Sequence, residues 1–188
     1  MSKKLNETPS QTAGPFLHIG CTPRLININV FKEELGSYPF KNMSLDNTIN
    51  IKGKIFDGNG DPIFDAMIET WQCDAKGKYL EDQGFSRKTT DFETGEYSIN
   101  TIKPGRVISE GGFESCSFIY FWIVARGMNS PLITRMYFDE NELINEKIFE
   151  GLKNKKRLNT LIAKTNDNKN FIFDIHLQGK KETIFFEY

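Results

Sequence analysis

The chain has 188 residues, of which 38% are hydrophobic and 26% charged, with a formal net charge of −1. That is the balance of an ordinary globular domain, large enough to bury roughly 70% of its unfolded surface without a metal or disulfide staple, and it carries no electrostatic footprint for nucleic acid or an anionic membrane. Cys21, Cys73 and Cys116 are odd in number and widely spaced, which excludes a disulfide framework, and neither the polar N-terminus nor the short apolar run Phe118 to Ala125 suits export or a membrane span, so a cytoplasmic protein with reduced thiols is expected.

Residues 1–47 differ from the rest. They carry Pro9, Pro15, Pro23 and Pro39 with Gly14, Gly20 and Gly36 and no sustained periodicity. Phe16, Leu17, Ile19, Ile26, Ile28, Val30 and Phe31 make this segment richer in apolar residues than a disordered tail, so an arm that packs on the core or on a partner is expected.

From residue 48 onward the pattern is strand and turn. Ile49, Ile51, Gly53 and Ile55 alternate with polar residues, and Asp57-Gly58-Asn59-Gly60-Asp61-Pro62 reads as a hairpin turn. A second strand is expected over 63–72, with Ala66, Ile68, Thr70 and Gln72 on one face, closed by a turn at Asp74-Ala75-Lys76-Gly77. Tyr97, Ile99 and Thr101 alternate after the turn at Glu93-Thr94-Gly95. The run from Phe118 to Arg126 reads as a central strand covered on both faces. Segments 132–138, 158–164 and 171–178 add three strands, and one helix is expected from an Asp139 cap toward Gly151. The fold class is therefore all-β, a β-sandwich of mostly antiparallel strands with an extended N-terminal arm and one short helix, divided as arm 1–47 and sandwich 48–188.

Chemistry-bearing motifs are sparse. Asp57-x-Asn59-x-Asp61 opens like a calcium loop, but Pro62 replaces the required glycine and Ile68 the closing glutamate. The two histidines, His18 and His176, are too few for a multi-histidine metal site, and His18 is expected to make a structural hydrogen bond. Gly-x-Ser-x-Gly and Gly-Lys-Ser/Thr are both missing.

One stretch is more specific. Glu7-Thr8-Pro9-Ser10-Gln11-Thr12-Ala13-Gly14-Pro15-Phe16 resembles the N-terminal arm of intradiol ring-cleaving dioxygenases, and His18-Ile19-Gly20 continues it in the manner of the family's α-type chains. Glu69-Thr70-Trp71-Gln72-Cys73-Asp74, Thr101-Ile102-Lys103-Pro104-Gly105, Ala125-Arg126-Gly127 and Thr134-Arg135-Met136-Tyr137-Phe138-Asp139 follow in the family's order. The resemblance covers nearly the whole chain. It implies an intradiol dioxygenase-like sandwich and a reaction that inserts both atoms of O2 between the hydroxyl-bearing carbons of a catechol, at a ferric ion held by two tyrosines and two histidines.

Carried over position by position, the resemblance places Phe118 and Tyr120 where catalytic chains have a His-x-His pair. It finds no tyrosine between Tyr79 and Arg87, nor among Arg106, Val107, Ile108 and Ser109, where the tyrosine ligands belong. It therefore implies a chain with no catalytic residue and no metal of its own, paired in a hetero-oligomer with an iron-bearing β-type chain that holds the Fe(III). The residues it places in the wall of the partner's substrate pocket are Thr12, Gly14, Pro15, Phe16 and Arg126, with Phe16 standing where the family's α arm commonly has tyrosine. Arg126 also has a physical rationale, since a guanidinium is well suited to a substrate's carboxylate. Two other readings remain open at this point: a non-enzymatic small-molecule-binding β-sandwich, and a self-sufficient homomeric dioxygenase, against which the missing ligands count.

Overall fold

The computed structural model describes residues 12–14, 16–30, 32–33, 35–41, 44–108, 112–143 and 146–187. In chain order the elements are α1 (Phe16–Cys21), β1 (Thr48–Phe56), β2 (Met67–Trp71), β3 (Phe85–Thr89), β4 (Glu96–Ile102), β5 (Phe118–Val124), β6 (Leu132–Tyr137), α2 (Glu140–Leu143), β7 (Lys164–Thr165), β8 (Asn170–Ile172) and β9 (Ile175–His176), with short 3-10 turns between them. Among the described residues no helix is long and apolar enough to cross a membrane.

The strands form two sheets. One runs β3-β2-β5-β6 and is antiparallel throughout; the other runs β4-β1-β8-β7, with β9 continuing along β1. Alternation accounts for the layering. Ile49, Ile51 and Ile55 of β1 face Ile68 of β2 and Ile119, Phe121 and Ile123 of β5 in the core between the sheets, joined by Tyr97, Phe171 and Phe173. The expected central strand is β5, flanked by β2 and β6.

Several elements depart from the pattern read in the sequence. The segment 171–178 becomes two short strands parallel to β1. The ladder is interrupted because the Asp174 carboxylate takes the Lys54 N–H at 3.0 Å, in place of a backbone carbonyl. Gly53 is required opposite the break, since a Cβ there would lie 2.0 Å from the Phe173 carbonyl oxygen. The segment expected as a strand over 158–164 is instead a 3-10 helix, Lys155–Leu161, capped by the Asn154 side chain, and its buried Leu158 and Leu161 are spaced by one 3-10 turn. The expected helix shrinks to α2 and a 3-10 turn at Lys147–Phe149; Asp139 does accept the Asn141 N–H at 2.8 Å, but Glu146 is extended and breaks the continuation. Ile144 of that expectation lies outside the described residues. The second strand is shorter than read, beginning at Met67. The polar run Ser86-Arg87-Lys88 concealed β3, an edge strand.

Candidate functional site

Two places in the fold gather the residues singled out in the sequence. The first is where the arm crosses the end of β5. Six residues are too few for a helix to be stable alone, so α1 depends on what it touches. Its His18 is buried and its Nε2 lies 3.1 Å from the Asp65 carbonyl, to which it donates; the ring meets Phe92 edge-on at 5.9 Å. The Cys21 carbonyl accepts from the Arg87 guanidinium at 3.3 Å, and Arg87 in turn pairs with Glu69 across β2 and β3.

Beyond β5 the chain turns at Gly127, whose φ of +86° suits glycine. The Gly127 N–H donates to Thr12 Oγ1 at 2.8 Å, which fastens the start of the arm beside Arg126. Ala13, Gly14, Leu17, His18, Asp65 and Arg126 then line a crevice of about 10 Å³. Arg126 Nε lies 3.1 Å from Asp65 Oδ2, while the arginine side chain remains 71% exposed. The structure thus brings Thr12, Gly14 and Arg126 together. Phe16 is 80% exposed, at the start of α1. Pro15 lies outside the described residues. His18 makes the hydrogen bond its position suggested, but Asp65 was missed, because an isolated aspartate ahead of a strand carries no motif.

The second place is the outer face of the four-stranded sheet, opposite the core. Phe118 and Tyr120 alternate with the inward Ile119 and Phe121, and their partners on β6 are Tyr137 and Arg135. The Phe118 and Tyr120 rings stand perpendicular at 4.9 Å. The Arg135 guanidinium lies 4.5 Å from the Phe118 ring centre, 4.9 Å from that of Tyr120 and 5.0 Å from that of Phe186. It also donates to the Tyr120 hydroxyl at 3.1 Å and to the Tyr137 hydroxyl at 3.4 Å. Burial pushes the ionisation of Tyr137 well above the usual phenol range, so that hydroxyl stays neutral. Phe118, Tyr137, Leu143, Phe149, Leu158, Leu161 and Ile184 close this face as a second apolar cluster. Beside it, Glu69, Trp71, Phe85, Tyr120, Trp122 and Ile133 line an open concavity of about 490 Å³.

These residues do not fit ferric iron. Phe118 has no donor atom, Tyr120 is engaged by a guanidinium, and a second cation beside that fixed positive charge would be repelled. Among the described residues no group of three or more His, Cys, Asp or Glu could hold a metal ion. At the implied tyrosine positions, the Gly84 N–H donates to the Pro39 carbonyl at 2.7 Å and Arg106 pairs with Glu114 at 3.0 Å; Ser109 lies outside the described residues. Arg135 lies within a family-like motif that by itself assigns it no role. Its alternation with Tyr137 on one strand was the available signal.

Comparison with known proteins fits this architecture. The family model described as Dioxygenase matches residues 33–179. The chain is 36% identical over 196 residues to the protocatechuate 3,4-dioxygenase alpha chain of Pseudomonas putida, covering 98% of each. It is 29% identical over 161 residues to the protocatechuate 3,4-dioxygenase beta chain of Burkholderia cepacia, covering 74% of this chain and 68% of that one. Among solved structures, the dioxygenase domain of a dioxygenase carbohydrate-binding protein fusion from Streptomyces sp. SirexAA-E superposes with a TM-score of 0.59 at 19% identity, over 93% of this chain and 99% of that one, a likeness of fold alone. The two-sheet sandwich, the family model and the full-length likeness together show that the chain belongs to the intradiol dioxygenase family.

Proposed function

We propose that this chain is the non-catalytic α subunit of a cytoplasmic protocatechuate 3,4-dioxygenase. That enzyme cleaves the ring of 3,4-dihydroxybenzoate between its hydroxyls with O2 to give 3-carboxy-cis,cis-muconate. In this reading the β subunit holds the Fe(III) that supplies the oxygen chemistry, and the two chains form a hetero-oligomer. Residues 1–47 are an arm that packs on the core or partner, and residues 48–188 are the sandwich.

The observation that carries the reading is the contrast within one sheet. The face where the resemblance implies iron is filled by Arg135 between aromatic rings, whereas Arg126, in the turn that leaves β5, is exposed and set beside the arm. A chain built this way can contribute a wall but not a centre. Thr12, Gly14, Pro15, Phe16 and Arg126 line the partner's substrate pocket, and Arg126 receives the substrate's carboxylate. The separately named alpha and beta chains among the relatives support the hetero-oligomer.

The test is Arg126→Ala in the complex assembled with the β chain. A charge-assisted hydrogen bond to the carboxylate is worth roughly 1.5–3 kcal/mol, so kcat/KM for protocatechuate is expected to fall on the order of 10- to 100-fold, mostly through KM. Catechol has no carboxylate and should lose far less. Equal losses with both substrates would make Arg126 a structural or interface residue.

A further inference from the structure

Arg126 is restrained by one group. Asp65 Oδ2 lies 3.1 Å from its Nε, and the guanidinium has no other partner among the described residues. The two side chains are unequally fixed: Asp65 is 25% exposed and Arg126 71%. Residue 65 is held from both sides, its carbonyl accepting from His18 Nε2 at 3.1 Å and the following Ala66 N–H donating to Thr90 Oγ1 at 3.0 Å. Ala66 itself is fully buried. The carboxylate therefore projects from an anchored point onto a long side chain that nothing else described holds.

We infer that Asp65 is a positioning residue for Arg126, and that it sets the enzyme's preference for a carboxylated catechol. This rests on the reading of Arg126 given above. A guanidinium offers two usable edges. Asp65 approaches through Nε, so the edge formed by the two Nη groups remains to receive a substrate carboxylate. Biasing the arginine toward one orientation beforehand lowers the ordering cost of the binding step. The pair is neutral, so discrimination depends on the fixed, bidentate geometry of that second edge more than on bare positive charge.

Truncating the side chain separates this role from that of the backbone, because His18 bonds the carbonyl of residue 65 and not its carboxylate. In the complex with the β chain, Asp65→Ala should raise KM for protocatechuate roughly 3- to 10-fold with kcat retained. The loss with catechol should be smaller, Asp65→Glu should recover part of the protocatechuate loss, and Asp65→Ala in the Arg126→Ala background should add nothing. A lower KM for protocatechuate in Asp65→Ala would overturn the inference, because Asp65 would then be masking the arginine. Equal losses with both substrates would overturn it too. If Arg126→Ala shows the selective loss and Asp65→Ala does not, this inference alone falls; if Arg126→Ala shows none, the reading of Arg126 itself fails.

Discussion

Two arginines, nine positions apart, occupy opposite kinds of site. Arg135 lies 4.5 to 5.0 Å from three ring centres and donates to two phenols, over a closed apolar cluster. Arg126 meets one carboxylate and remains mostly in solvent. The first is satisfied by its own chain. The second keeps hydrogen-bonding capacity that no other described residue uses. That difference separates a region closed on its own aromatic rings from the one where the proposed function places contact with substrate.

The comparison breaks most readily on stability. Arg135→Ala should destabilise the isolated chain by about 2–4 kcal/mol, because it removes several cation–π contacts and leaves the buried Tyr137 hydroxyl short of a partner. Arg126→Ala, measured the same way in urea, should cost only about 0–1 kcal/mol, the range for an exposed ion pair. Comparable losses would mean that the arm crossing is as much a part of the folded framework as the aromatic face.

A smaller effect concerns His176, which stacks on Phe56 at 4.7 Å. Desolvation, with a contribution from Lys181, lowers its pKa below the ordinary 6.5. The unfolded chain therefore takes up this proton more readily than the folded one. Its contribution to stability is complete above pH 6.5 and is lost as the pH falls through the depressed folded value. The urea midpoint should drop between pH 7.5 and 5.5, and the drop should shrink in His176→Phe. An unchanged drop would assign the acid sensitivity to other groups.

The sandwich is legible in the sequence because alternation is a local signal: Ile49, Ile51 and Ile55, or Ile119, Phe121 and Ile123, need only their neighbours to declare a buried face. Legibility fails where pairing depends on distant residues. The parallel pairing of β8 and β9 to β1 is interrupted by the Asp174 carboxylate bonding Lys54, 120 positions away. Edge strand β3 hides behind Ser86, Arg87 and Lys88, whose partners include Glu69 across the sheet and the Cys21 and Ser37 carbonyls of the arm. The site divides in the same way. Thr12, Gly14 and Arg126 stand out through a motif; the fold lines one crevice with Gly14 and Arg126 and ties Thr12 to Gly127 beside it. Asp65 acquires meaning only once the arm is laid against it.

The central claim is that this chain is closed to iron by its own residues. It is tested most directly by measuring the metal content and visible spectrum of the isolated chain purified from iron-supplemented cells. The account predicts a colourless protein with far less than one iron per chain, and no phenolate-to-iron charge-transfer band. Near-stoichiometric ferric iron with that band would contradict it.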